Sequence, residues 1–306
     1  MLASADRVRE EQRLLWDEFS AGWKKWDAEL LGWQAPFGDA LRQELRLRPD
    51  SEVLDVAAGT GEPGLNVAAQ VPEGRVVLTD ISAGMLRVAE EKASARRLSN
   101  LDFQVCDSAA LPFRNNTFDA VYSHFGLMFF PVMSAAMAEM ARTARPGARV
   151  GAVVWGRAAA NPWASLILGT IARHRELPIP PAGTPGLFRC APTGFMTRMF
   201  KEAGLAEVAE HQVSTDLVHE SPESYWEFMT DIATTVAMGL AKADAESRAL
   251  IRSDVFALLG RYEHDGAIRL RSTATVVAGT KVCQAGGPGL LATLRSGASS
   301  DAQRFL

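Results

Sequence analysis

Val53-Leu54-Asp55-Val56-Ala57-Ala58-Gly59-Thr60-Gly61-Glu62-Pro63-Gly64 is the stretch whose reading decides the fold. A run of strand character turns through closely spaced glycines into a helix. Glycine lets the backbone approach a ligand with no Cβ in between, and the following helix offers unpaired N–H groups and a positive dipole end to an anionic group. Read literally, Gly59 to Gly64 is GxGxxG, which also serves dinucleotides, so the turn alone leaves the cofactor open.

Downstream, short β-type runs alternate with helix-length connections: Val76 to Thr79, Leu101 to Val105, Phe118 to Tyr122 and Val150 to Trp155. That alternation predicts βαβ units and a parallel sheet. Upstream, from Asp6 to Arg48, the apolar residues recur at helical spacing and predict two or three helices.

Acids stand at the ends of successive strands. Asp55 closes the first, where a carboxylate helps bind an ammonium directly or through water. Asp80, in Leu78-Thr79-Asp80-Ile81-Ser82, follows the glycines by about 20 residues, the place from which an acid holds both ribose hydroxyls. Asp107, in Val105-Cys106-Asp107-Ser108, is placed to accept an adenine amino group, with Ile81 and Met85 about the ring. Glu62 and Pro63 crowd the spot where a pyrophosphate would meet the helix, and an anionic Glu62 opposes a phosphate. Three acids in order, with that crowding, favour S-adenosylmethionine over NAD(P).

VLDVAAGTGEPGL, LTDISAGML, VCDSAALPFRNNTFDAVYSHFGLMFF and ARPGARVGAVVW together resemble the successive motifs of class I methyltransferases of the ubiquinone/menaquinone C-methyltransferase-like group, over about residues 50 to 155. The resemblance implies a Rossmann-like α/β fold with a seven-stranded, mostly parallel sheet whose last strand, similar to Arg269 to Val282, is antiparallel. It places the methionine end of the cofactor on Asp55, Ala57, Gly59, Thr60 and Gly61, the ribose on Asp80 and Ile81, and the adenine beside Met85, Cys106, Asp107 and Ser108. Ser123 and His124, ending the fourth strand, would face the methyl group. This chain departs from the family at Ala57, where the family has its first glycine; alanine permits the same approach if its φ stays negative.

Each of these residues has a plainer alternative. Asp55 could cap the turn, and Asp80 or Asp107 the next helix. The stripe Trp16, Phe19, Trp23, Trp26, Trp33 reads first as core packing, and second as a cap that brings Trp23 or Trp26 to the sulfonium, where an aromatic face attracts a cation by ~1 kcal/mol or more. His124 has an intrinsic pKa suited to proton transfer, but a structural or substrate-orienting role is the commoner one for such a histidine. His174, His211, His219 and His264 form no metal spacing, and most of them read as surface residues.

The expected organisation is an N-terminal helical cap (1–48), a methyltransferase domain (49–283) with a Pro- and Gly-rich lid-like loop (157–192) and a helical insertion (221–262), and a loose tail (284–306). The acceptor pocket would be lined by the Trp-rich helices, the lid and the residues around Tyr225, Trp226, Phe228 and Met229, which suits a hydrophobic or aromatic small molecule.

With 47% hydrophobic and 22% charged residues the composition is that of a folded globular protein, and a net charge of −4 without a basic cluster argues against a nucleic-acid partner. No apolar run reaches bilayer length and the start reads as no signal peptide. Cys106, Cys190 and Cys283 form neither a disulfide framework nor a metal site, which fits a cytoplasmic protein. A homodimer is an open arrangement. Two rival readings stand beside the methyltransferase: an NAD(P)-dependent oxidoreductase, and a methyltransferase fold repurposed for other chemistry or scaffolding.

Overall fold

The structure, a computed structural model, describes residues 5–175 and 184–282. The expected loose tail, Cys283 and residues 176–183 of the lid-like loop lie outside the described residues.

Two helices come first, α1 (Ala5–Lys25) and α2 (Asp27–Leu45), the second running through Pro36. Then strands and helices alternate: β1 (Glu52–Val56), α3 (Gly64–Gln70), β2 (Arg75–Asp80), α4 (Ala83–Ala95), β3 (Leu101–Val105), β4 (Phe118–His124), α5 (Met133–Thr143), β5 (Ala144–Trp155), α6 (Pro162–Arg175), α7 (Phe195–Glu202) and β6 (Leu205–His219). Three helices, α8 (Pro222–Ile232), α9 (Thr234–Ala241) and α10 (Ala245–Leu259), precede a two-residue β7 (Glu263–His264) and the long β8 (Ala267–Lys281).

The sheet order is β3-β2-β1-β4-β5-β8-β6, with β7 paired only to β8. β1 to β5 pair in parallel, whereas β8 runs antiparallel between β5 and β6. This is the expected Rossmann-like sheet with its antiparallel last strand. Successive residues of β1, β2 and β5 are buried, so both faces of the sheet centre are covered, and the apolar runs that predict these strands follow from that burial. On one face α2 lies close: Leu41 and Leu45 stand where a Cβ on Gly151 of β5 would be, 2.8 and 3.1 Å away.

The chain leaves β1 towards β2 and β3 on one side and β4 towards β5 on the other. The order in which strands are added therefore reverses between neighbouring β1 and β4, which pair in parallel from Val53 with Ala120 to Asp55 with Tyr122. In open α/β sheets the crevice beyond the strand ends at such a reversal is where ligands bind.

α1 is held differently from the core. It contains no buried residue and is fastened by polar contacts. The Asp17 carboxylate accepts from Ser82 Oγ (2.6 Å) and Gly84 N (2.8 Å) at the start of α4, and Lys25 reaches Glu227 (2.6 Å) and Asp231 (2.8 Å) on α8. Trp23 Nε1 donates to the Ile232 carbonyl. α1 thus bridges the parallel sheet's helices and the α8–α10 segment.

Candidate cofactor and acceptor site

At the sheet reversal the backbone after β1 folds tightly. Ala58 N donates to the Thr79 carbonyl (2.8 Å) and Gly61 N to the Ala58 carbonyl (2.9 Å). Gly59 has φ +54°, and nothing lies within 4 Å of the position its Cβ would take, so the turn is open on that side. Gly61 (φ +101°) is a glycine for another reason: a Cβ there would press on Leu65 and Ala89 at 3.0–3.1 Å. It makes room for helix packing and does not line the cleft.

Ala57 differs from the expectation. Its φ is +61°, in the left-handed region that costs an L-residue about 1–2 kcal/mol. The loop after β4 comes close to it: a Cβ on Gly126 would stand 2.6 Å from the Ala57 Cβ. Ala57→Gly should therefore stabilise the protein by ~0.5–1 kcal/mol, the released strain less the greater chain entropy of glycine. Urea unfolding would check this; a loss of stability, the usual result of such a change, would refute it.

The three acids separate in role. Asp80 is buried on the cleft wall, its Oδ2 accepting from Gly59 N (2.9 Å) and its Oδ1 from Ser82 N (2.8 Å). Burial pushes its carboxyl up to about 6, against those backbone donors, which favour the charged form. Asp107 lies on the wall with Cys106 and Ser108; its Oδ1 accepts from Ala109 N (3.0 Å), and its Oδ2 faces Arg9 of α1. Asp55 does not line the cleft. Its side chain alternates to the inner side of β1, where Tyr122 Oη donates to Oδ2 (2.9 Å) and Oδ1 has no partner. Only the backbone that follows Asp55 reaches the ligand side.

Glu62 is on the wall, and burial raises its carboxyl, yet Arg96 (2.5 Å) and Lys92 (3.7 Å) face it. The charge expected to repel a phosphate is thus met within the protein. What still disfavours a pyrophosphate is Pro63 at the N-cap of α3, which has no N–H to give.

Part of the cleft lining is aromatic. Phe125 stacks on Trp155 (4.0 Å, 19°), Trp155 on Trp33 (5.3 Å, 18°), and Trp163 meets both tryptophans at 4.7 Å. His124 packs edge-on against Phe125 at 4.5 Å. It is 8% exposed, its Nε2 is enclosed without a partner, and burial pushes it down to about 3. The imidazole is therefore neutral near pH 7 and far from the pKa that suits a general base there.

One cleft, about 1680 Å³ with the open solvent at its mouth included, is lined by the glycine turn, the acids and these aromatic residues. Of the residues expected at the cofactor, Ala57, Gly59, Thr60, Asp80, Ile81, Met85, Cys106, Asp107 and Ser108 line it, together with His124; Asp55, Gly61, Ser123 and Trp26 do not. Ser123 alternates to the opposite side of β4 from His124, its Oγ enclosed beside Gly126. Trp26 sits between α1 and α2, donating to Asp231 Oδ2 (2.9 Å) and packing on Phe228, while Trp16, Trp23 and Trp33 line the cleft.

Other expectations need correction on burial. Tyr225, Phe228 and Met229 are fully buried beneath the cleft, and the nearby lining comes from Ile232 to Thr235 instead. His219 is no surface residue: it packs among Trp26, Tyr225 and Phe228, with Nδ1 3.0 Å from Ser224 Oγ, and burial holds it down at about 4. Among the described residues no group of His, Cys, Asp and Glu could hold a metal ion.

The residues present fit S-adenosylmethionine. The turn is open where a Cβ would intrude at Gly59, a buried carboxylate stands at the end of β2, and a second acid at the end of β3 sits in the same cleft. The antiparallel last strand and the acids at the ends of β2 and β3 in one cleft are what the resemblance to class I S-adenosylmethionine-dependent methyltransferases implies.

Residues 53–147 match the family described as a methyltransferase domain. An uncharacterised protein of Mycobacterium tuberculosis is 34% identical over 150 residues, 48% of this chain and 53% of that one. The ubiquinone/menaquinone biosynthesis C-methyltransferase of Burkholderia vietnamiensis is 43% identical over 108 residues, 35% of this chain and 44% of its own. The chain thus spans about half the length of the curated relatives it matches. Among solved structures, the YcgJ protein of Bacillus subtilis superposes with a TM-score of 0.54 at 18% identity, over 81% of this chain and 99% of that one, a likeness of fold.

Proposed function

We propose that this chain transfers a methyl group from S-adenosylmethionine to a small, neutral, hydrophobic or aromatic acceptor. One observation carries the reading: a single cleft is lined both by the glycine turn with Asp80 and Asp107 and by the aromatic cluster of His124, Phe125, Trp155, Trp33 and Trp163. When bound, the cofactor supplies an electrophilic methyl group on a sulfonium with a good leaving group. The chain's own work is then to orient the acceptor and keep water out. The aromatic wall offers a flat apolar surface, and an acceptor carrying an uncompensated charge would lose its hydration there without a partner.

His124, neutral near pH 7, serves as a hydrogen-bonding group that orients the acceptor, not as its base. Such a site suits acceptors that are nucleophilic without proton removal by the protein. Placement in the cytoplasm is part of the proposal, supported by the free thiols of Cys106 and Cys190 and by the absence, among the described residues, of a helix long and apolar enough to cross a membrane.

S-adenosylhomocysteine should raise the melting temperature and NADH should not; stabilisation by NADH alone would return the oxidoreductase reading. With radiolabelled cofactor, transfer is expected to neutral arylamines, whose nitrogen lone pair attacks before any proton is lost to solvent, in preference to their carboxylated or phosphorylated counterparts. Intact cofactor binding with no transfer to any of them would favour a repurposed fold.

A further inference from the structure

We infer that Arg9 on α1 occupies the adenine end of the cofactor cleft as a competitor for Asp107, so that cofactor binding must exchange an internal ion pair for the adenine amino group. The inference rests on the cofactor reading above. Arg9 and Asp107 both line the cleft, 98 positions apart in the chain, with Arg9 Nε 2.7 Å from Asp107 Oδ2. The contact is one of charge without hydrogen-bond alignment: Arg9 Nε is enclosed and has no hydrogen-bond partner. Both side chains keep partial access to solvent, 30% and 24%. Such a pair is weakly held, worth little in water, and readily exchanged.

Ala109 N takes one lone pair of Asp107 Oδ1, and the Arg9 guanidinium covers the α1 side of Oδ2. A ligand that donates to Oδ2 from the α1 side displaces Arg9, whose Nη1 already contacts Asp6 one turn earlier on α1. The displaced guanidinium therefore has a second anion beside it. The rest of α1 stays tied through Asp17 to Ser82 and Gly84, two turns further on, so the exchange is confined to the helix's first turns. Arg9 thereby acts as a specificity residue: it excludes whatever cannot replace its charge at Asp107 with a donor.

The test compares wild type with Arg9→Gln by calorimetric titration of S-adenosylhomocysteine and of its inosine counterpart, which carries a carbonyl in place of the amino group. Arg9→Gln should bind S-adenosylhomocysteine about two- to fivefold more tightly at low ionic strength, the size of one part-exposed ion pair, and the gain should shrink in high salt. The inosine compound should show no gain. In wild type, S-adenosylhomocysteine should also speed tryptic cleavage at Arg9. Weaker binding by Arg9→Gln, or an equal gain for both compounds, would overturn the inference and make Arg9 an ordinary contact or a general obstruction. Failure of both proteins to bind S-adenosylhomocysteine at all would instead take down the cofactor reading.

Discussion

Asp80→Ala should weaken S-adenosylhomocysteine binding by about tenfold to a few hundredfold, the range expected from losing one hydrogen bond to a charged acceptor at ~1.5 kcal/mol up to ~3 kcal/mol in all. Two losses combine. The carboxylate is the acceptor for Gly59 N and Ser82 N, so alanine leaves both donors unpaired and loosens the glycine turn as well as the entry to α4. It also removes the acid from the cleft wall. Asp80→Asn separates the two, because its amide oxygen still accepts from one backbone N–H while the charge is gone. If the charge matters for the ribose, Asp80→Asn should lose most of the affinity too. Wild-type affinity should fall as pH drops through about 6, the value to which burial lifts this carboxyl, whereas Asp80→Asn should be flat there. Unchanged affinity in Asp80→Ala would exclude Asp80 as a ligand of the cofactor.

How much of this was legible in the sequence depends on what each residue's environment demands. The strands of the parallel sheet were readable because burial on both faces forces continuous apolar runs, as in Val76 to Leu78 and Val150 to Trp155. Asp80, Asp107 and the glycine turn were readable because a rule ties strand ends at a sheet reversal to ligand binding. The same rule, applied to β4 and β5, would have found Phe125 and Trp155, which stand at those strand ends and make the aromatic wall.

What could not be read was side-chain direction at the last residue or two of a strand. Asp55 and Ser123 each lie one step of alternation away from the cleft, and local pattern does not say on which step the strand ends. Long-range pairings were equally silent: nothing near Arg9 in the sequence announces Asp107, and nothing near Trp26 announces Asp231. The positive φ of Ala57 is a backbone constraint that alanine does not signal.

Asp55→Asn is expected to stabilise the protein, by an amount that grows with pH. Asp55 is wholly buried beneath the glycine turn, with one oxygen accepting from Tyr122 and the other without a partner, and no cation faces it. Burial, with smaller contributions from Asp80 and Glu62, pushes its carboxyl up to about 8 from an ordinary 3.8. Below pH ~4 the group is neutral in folded and unfolded chains alike and costs nothing. Between 4 and 8 the unfolded chain releases a proton that the folded chain keeps, so stability falls by up to ~1.4 kcal/mol per pH unit. Above 8 both forms are ionised and the full penalty, on the order of a few kcal/mol, stays in place. Asparagine carries no such slope and can still accept from Tyr122. Urea unfolding of both proteins at pH 5, 6, 7 and 8 should therefore show a difference that widens towards 8. Taking the difference cancels most of the separate slope from Asp80, which lies below about 6. Parallel stability curves would show that Asp55 is ionised in the folded chain and held by a donor at its second oxygen. In that case the turn would carry a buried negative charge directly beneath the site, and the attraction of that wall for an ammonium would come from Asp55 after all, acting through the backbone rather than by contact.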